Sequence, residues 1–216
     1  MKKNILTTLL LTTALLFSAG ASAQKTKSLF NGKDLSNWKF ILQDNSVPAD
    51  QVFSVKDNLI HITGKPIGYM YTNETFGDCK IHVEWHWPGG VMTNSGIFLL
   101  VADPKNPFPN GVECQLQAGN AGDLIAEGGA TLAEYKTDAK NPDARFKMVK
   151  KYAASSEKTA GEWNEANIFI INGVMTIYIN NILQNIGTNP NKEGAIGLQS
   201  EGGEIEFRNV TVTSIE

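Results

Sequence analysis

The chain has 216 residues, of which 19 are Lys or Arg, 22 are Asp or Glu and two are Cys, and its formal charge is −3. Such an acidic balance argues against a nucleic-acid or anionic-membrane partner. Two cysteines exclude a disulfide-rich scaffold, and no segment beyond residue 23 is long and apolar enough to span a bilayer.

The opening MKKNILTTLLLTTALLFSAGASAQ joins a basic Lys2-Lys3 start, an apolar run from Ile5 to about Phe17, and Ala21-Ser22-Ala23 as an A-x-A cleavage site. That order predicts a secretory signal peptide over residues 1–23. No Cys follows it to accept a lipid, so the expectation is an exported protein, periplasmic or secreted, with a mature chain from Gln24. Removing Lys2 and Lys3 from the 19 basic residues leaves 17 against 22 acidic ones, a formal charge of −5. Residues 24–216 suit a single domain with a sizeable core.

Short alternating runs bounded by Gly, Asn, Asp and Pro follow one another: QVFSVKDNLIHITG, CKIHVEWHW, SGIFLLVAD, VECQLQ, ANIFIINGVMTIYINNILQN, GAIGLQSEG and EIEFRNVTVTSI. They read as strands. Lys56-Asp57-Asn58, Ile171-Asn172-Gly173 and Asn180-Asn181 supply turns in which Asn and Gly take positive φ at little cost. Almost nothing has helical periodicity, which predicts an all-β, two-sheet antiparallel sandwich. Ala130 to Gly161 is the exception, polar and without a period of two. It is expected to be a long loop with at most one helical turn, forming one wall of a binding site.

In CKIHVEWHW the apolar phase is Ile81, Val83, Trp85 and Trp87, which leaves His82, Glu84 and His86 on the opposite face. Imidazole and carboxylate groups in one row suit acid/base chemistry or part of a metal site; the alternative is a solvated strand face. In GVECQLQAGNAGD, Val112, Cys114 and Leu116 alternate with Glu113, Gln115 and Gln117. A carboxylate flanked by two carboxamides offers acceptors and donors suited to sugar hydroxyls. A third polar row, Gln199 and Glu201, opposes Ile196 and Leu198, and Glu201 leads into Gly202-Gly203. Paired carboxylates are the usual apparatus of glycoside chemistry, which makes Glu201 a candidate partner of Glu113. Trp38, Trp85, Trp87 and Trp163 read as packing residues rather than sugar platforms. Cys79 and Cys114 both occupy apolar-phase positions, and whether they pair stays open. No nucleophile elbow, P-loop, dinucleotide fingerprint or HExxH helix is present.

LFNGKDLSNW at 29–38, NSGIF at 94–98, ECQLQAGNAGD at 113–123, GEWNEANI at 161–168 and GAIGLQSEGGEIEFRNV at 194–210 occur in the order and spacing of one family. Together they resemble the 3-keto-disaccharide hydrolase domain family, formerly a bacterial domain of unknown function. The resemblance implies a jelly-roll sandwich of the concanavalin A-like lectin and glucanase type with its site on a concave sheet. It further implies sugar substrates whose 3-hydroxyl a separate oxidoreductase has converted to a ketone, with members acting as lyases or hydrolases. Carried onto this chain, it makes Glu113 the first catalytic candidate, with Gln115 as its hydrogen-bonding partner. Glu201 and His86 compete for the second proton-transfer role, although His86 stands where the family frequently has Arg or Lys. Glu84, Gln117, Asn94, Asp123 and Gln199 complete the expected substrate-binding set. No cofactor is demanded; a divalent ion is compatible with such rows and nothing in the spacing requires one. The competing class is a non-catalytic carbohydrate-binding module on the same sandwich. A conventional glycosidase is disfavoured, because retaining enzymes on this sandwich resemble an E-x-D-x-x-E strand and ECQLQA carries one acid.

Overall fold

The computed structural model describes residues 24–44 and 46–215; the expected signal peptide lies outside the described residues. Fifteen strands follow in chain order: Thr26–Ser28 (β1), Trp38–Leu42 (β2), Phe53–Lys56 (β3), Leu59–Ile62 (β4), Gly68–Thr72 (β5), Cys79–His86 (β6), Gly96–Asp103 (β7), Asn110–Gln115 (β8), Leu124–Glu127 (β9), Lys147–Val149 (β10), Asn164–Ile171 (β11), Val174–Ile179 (β12), Ile182–Thr188 (β13), Ala195–Ser200 (β14) and Ile205–Ser214 (β15). They build two antiparallel sheets. The first runs β13-β12-β11-β6-β15-β4-β3, with β1 added to β15, and the second runs β10-β9-β8-β7-β14-β5-β2. This is the two-sheet antiparallel sandwich that the alternating runs predict, in the jelly-roll form that the family resemblance implies.

The turns form as the residues dictate. Asp57 and Asn58, Asn172 and Gly173, and Asn180 and Asn181 all have positive φ, the geometry that reverses a strand within two residues. Among the described residues the single helical element is a 3-10 turn at Ala49–Gln51. Residues 130–161 hold no helical turn; they contribute the short edge strand β10 instead. Among the described residues no helix is long and apolar enough to cross a membrane.

Between the sheets lies the core. Ile81, Val83, Trp85 and Trp87 from β6 and its extension meet Ile97, Leu99, Val112, Cys114, Leu116 and Leu198 from the second sheet. Cys79 and Cys114 are both buried and unpaired, one on each sheet.

The two sheets differ on their outer sides. In the first, β6 and β11 alternate buried and half-exposed residues, as a one-sided sheet does. In the second, all of β9 and β14, and β7 from Gly96 to Val101, are buried on both faces. A second apolar cluster of Tyr69, Phe98, Val101 and Ala195, flanked by Ile41 and Tyr71, covers β7 and β14 on that side. The 104–109 loop lies over it, tied down by Tyr69 Oη donating to the Lys105 carbonyl at 2.8 Å and Asn106 Nδ2 to the Gln43 carbonyl at 3.0 Å.

Candidate active site

On the outer face of the second sheet, Glu113 and Gln115 of β8 project beside Glu127 of β9. A cleft of about 260 Å³ opens there, with Asn94, Gln117, Glu127 and Glu201 around Glu113 and Gln115, and Phe108, Ile125, Phe146 and Met148 as its apolar wall. Phe146 and Met148 come from the 130–161 segment, which walls the site as expected.

Room for the Glu113 carboxyl is made by a missing side chain. A Cβ on Gly96, the β7 residue paired with Gln115, would stand 2.2 Å from Glu113 Oε1. The glycine of the NSGIF turn therefore lets the carboxyl lie flat over the neighbouring strand. Glu201 is placed by a second close approach, since a Cβ on Gly202 would sit 2.7 Å from Thr93 Oγ1 and 3.0 Å from Asn94 Cβ. Ser95 Oγ donates to the Gln199 carbonyl at 2.8 Å and fastens the two turns together.

Gln115 is oriented by its own backbone. Its Oε1 accepts from the N–H groups of Leu116 and Gln117 at 2.9 and 2.8 Å, so Nε2 remains as the donor. Asn94 Oδ1, Glu113 Oε1, Glu127 Oε2 and both amide atoms of Gln199 are buried without a partner among the described residues. Such groups cost roughly 1–3 kcal/mol each when left unsatisfied, so a cluster of them marks a place built to receive polar atoms from outside.

Three carboxyls lie together in the cleft, and burial raises the pKa of each. Burial pushes Glu113 well above the usual carboxylate range, with the charges of Glu127 and Glu201 adding to it, and a hydrogen bond shared with Glu127 keeps the proton on Glu113. Glu127 is raised to about 7, mainly by burial and also by the charge of Glu201; the Glu113 hydrogen bond and the Arg145 charge oppose the rise. Burial raises Glu201 as well. The pair thus holds one proton near neutrality, so one carboxyl can donate while its neighbour accepts.

Sequence reasoning missed Glu127, because LIAE reads as a plain apolar strand ending in a turn acid. One signal was present: Glu127-Gly128-Gly129 repeats the Glu201-Gly202-Gly203 pattern at a strand end. Glu113, Gln115, Gln117, Asn94 and Glu201 are brought together as expected, with Gln199 on the same face.

Asp123 is not brought to the cleft. It is buried behind the β8–β9 turn, where its Oδ1 accepts from the Lys151 N–H at 2.8 Å. Glu84 and His86 are further away still, on the outer face of the first sheet, with the whole core between them and Glu113. There His86 Nε2 meets Glu206 Oε2 at 2.7 Å and its ring packs 4.2 Å from Trp163. Glu84 accepts from Arg208 Nε and Asn209 Nδ2, both at 2.7 Å. Neither can serve with Glu113: alternation fixes a residue's face but not the sheet to which the strand belongs. Trp38, Trp85 and Trp87 are buried packing residues; Trp163 lies half-buried against His86 and Arg208. Among the described residues no group of three His, Cys, Asp or Glu is arranged to hold a metal ion, and no step below is routed through one.

The fold is a jelly-roll β-sandwich of the lectin and glucanase type. The chain belongs to the 3-keto-alpha-glucoside-1,2-lyase-like domain family, whose model matches residues 25–213. No curated protein matches it. Among solved structures it is similar to a candidate glycosyl hydrolase from Parabacteroides distasonis, with 22% identity and a TM-score of 0.62 over 88% of this chain and 100% of the other. A carbohydrate-binding module of Bacillus subtilis (CBM66) aligns at 10% identity and TM-score 0.58, over 82% and 96% of the two chains. The β-glucanase of Bacillus licheniformis aligns at 10% and 0.57, over 91% and 100%. At these identities the likeness is one of fold.

Proposed function

We propose that this protein is an exported bacterial enzyme that cleaves 3-keto-glycosides, including 3-keto-disaccharides, by removing the C2 proton and expelling the C1 aglycone. The observation that carries this reading is the Glu113–Glu127 pair, two buried carboxyls in one cleft whose pKa values are pushed up and apart. An ordinary glycoside offers no acidic C–H to such a pair. A ketone at C3 does, because the C2 carbanion is delocalised onto the ketone oxygen as an enolate.

Glu127, ionised above about pH 7, takes the C2 proton, and the C–H electron pair becomes the C2–C3 double bond of the enolate. Gln115 Nε2 is the oriented donor for the oxygen on which charge develops. Collapse of the enolate forms the C1–C2 double bond and breaks the bond from C1 to the glycosidic oxygen, which receives the proton of Glu113. The products are a 1,2-unsaturated 3-keto sugar and the free aglycone. Addition of water across that double bond, hydroxyl to C1 and proton to C2, makes the net outcome hydrolysis; Glu201, a further carboxyl lining the cleft, guides that water.

The substrate must be supplied by a separate oxidoreductase acting on the sugar's 3-hydroxyl. The deciding experiment offers the purified protein 4-nitrophenyl 3-keto-glucoside and 4-nitrophenyl glucoside side by side. Nitrophenol release from the keto compound alone is expected. Release from neither, with saturable sugar binding by calorimetry, would replace the enzyme by a carbohydrate-binding module.

A further inference from the structure

The cleft continues past the carboxyls into a second chamber of about 260 Å³, which shares Phe108, Glu127 and Phe146 with it and is completed by Lys105, Asn106, Pro107, Gly128 and Arg145. Its wall is aromatic. Phe108 and Phe146 meet edge to face with centroids 5.5 Å apart, and the Arg145 guanidinium carbon lies 5.1 Å from each ring centre. The wall is also fixed in place: a Cβ on Gly128 would stand 2.4 Å from the Pro109 carbonyl carbon, so the 104–109 loop rests directly on the end of β9.

Phe146 and Met148 remain 39% and 38% exposed in this region, although they sit inside a concavity. An aromatic ring and a thioether left open within a cleft favour a flat apolar occupant. The chamber's polar groups are largely committed elsewhere: Asn106 Nδ2 donates to Gln43, and Lys105 Nζ pairs with Asp103 Oδ2 at 3.0 Å. A second sugar ring would bring hydroxyls with few partners to meet them. Arg145 differs, because among the described residues no carboxylate lies within ion-pair distance of its guanidinium.

We infer that this chamber is the aglycone subsite and that it selects a planar aromatic aglycone carrying a carboxylate, its ring against Phe108 and Phe146 and its charge on Arg145. The inference rests on the proposed cleavage of 3-keto-glycosides. It assigns the two ends of the groove different tasks: carboxyls work on the keto sugar, and an aromatic pair with a cation grips the leaving group. A carboxylate on the aglycone is attracted to Arg145 and meets no cation among the residues lining the sugar end, so charge favours one orientation of the substrate in the groove.

The test compares kcat/KM for three 3-keto-glucosides, with 4-carboxyphenyl, phenyl and methyl aglycones. A charge-assisted contact to Arg145 predicts a preference of about tenfold for carboxyphenyl over phenyl, and the aromatic wall predicts phenyl above methyl. In Arg145→Met the first preference collapses to parity; in Phe146→Ala the second one shrinks. Equal slowing of all three substrates in Arg145→Met, or a methyl glycoside turned over as well as the carboxyphenyl one, would overturn the assignment. Should no keto-glucoside be cleaved, the catalytic reading fails separately, and calorimetry with 4-hydroxybenzoate decides the chamber. Binding that is lost in Arg145→Met supports an aryl-carboxylate site, and absence of binding to the unaltered protein refutes it.

Discussion

The outer faces of the two sheets carry similar side chains and do opposite things with them. On the first sheet Glu84 is buried enough to be raised, yet hydrogen bonds from Asn209 and Arg208 and the Arg208 charge outweigh burial and hold it below the usual carboxylate value. Glu206 is likewise shared between His61 and His86, at 3.3 and 2.7 Å. On the second sheet Glu113, Glu127 and Glu201 form no ion pair among the described residues, and all three rise, the Arg145 charge opposing but not cancelling the rise of Glu127. A satisfied polar row stabilises a strand face; a frustrated one stores protons. What distinguishes a candidate site here is the failure of its carboxyls to find cationic partners within the protein, rather than the residue types themselves.

Exchanging the charge on each face sharpens the contrast most. Glu113→Gln is expected to lower turnover of a 3-keto-glucoside by about 10²–10⁴-fold, the usual worth of a positioned acid or base, while the unfolding temperature holds. Glu84→Gln is expected to reverse the pattern, with near-normal turnover and a loss of about 1 kcal/mol as the Arg208 and Asn209 bonds weaken, read from urea unfolding.

Next in size is Gly96→Ala. Its methyl would displace the Glu113 carboxyl, the movable end of a flexible side chain, so the protein folds with the acid swung aside. A drop in kcat of roughly 10–100-fold is expected from an acid misplaced by about 1 Å, with secondary structure by circular dichroism unchanged. Full activity would show that Glu113 does not act from over Gly96.

The pH dependence of stability gives a smaller but signed effect. Glu127 is raised on folding, so its contribution is complete below its ordinary value of 4.5 and is lost as pH climbs through about 7. Glu84 is lowered, so its contribution is present above 4.5 and lost as pH falls through its folded value. Urea midpoints should therefore decline between pH 4.5 and 7 in the unaltered protein and decline less in Glu127→Gln. A midpoint that rises across this window in the unaltered protein and not in the variant would contradict the raised carboxyl.

The smallest effect concerns the thiols. Burial pushes both up, Cys79 to about 11, and they stand on separate sheets with no bond between them. Native protein is expected to leave a thiol reagent unreacted, unfolded protein to consume two equivalents, and reductant to leave the unfolding temperature unmoved. A shift with reductant would reveal a disulfide.

Much of this architecture was legible in the residues. Strict alternation in CKIHVEWHW and continuous apolarity in SGIFLLVAD already distinguish a strand with one wet face from a strand buried on both. The Asn turns came through for the same reason, being local. The site was only half legible, because partnership across strands is a property of sheet order. Nothing in His82, Glu84 and His86 says that β6 lies between β11 and β15, where Arg208 waits to neutralise Glu84. Glu127 was hidden for the converse reason: a lone acid after an apolar run acquires meaning only when β9 pairs with β8 and sets it beside Glu113.

The second apolar cluster, beneath the outer face of the second sheet, bears on how such a protein can change. It fastens β7 and β14 from both sides, so the strands that carry or flank the acids are the least free to drift. Arg145 and Phe146 of the aromatic wall, by contrast, come from the 130–161 segment, outside that slab. Insertions and exchanges there would remodel which leaving group is gripped without retuning the proton chemistry. Such a scaffold can diversify its diet while its reaction stays the same.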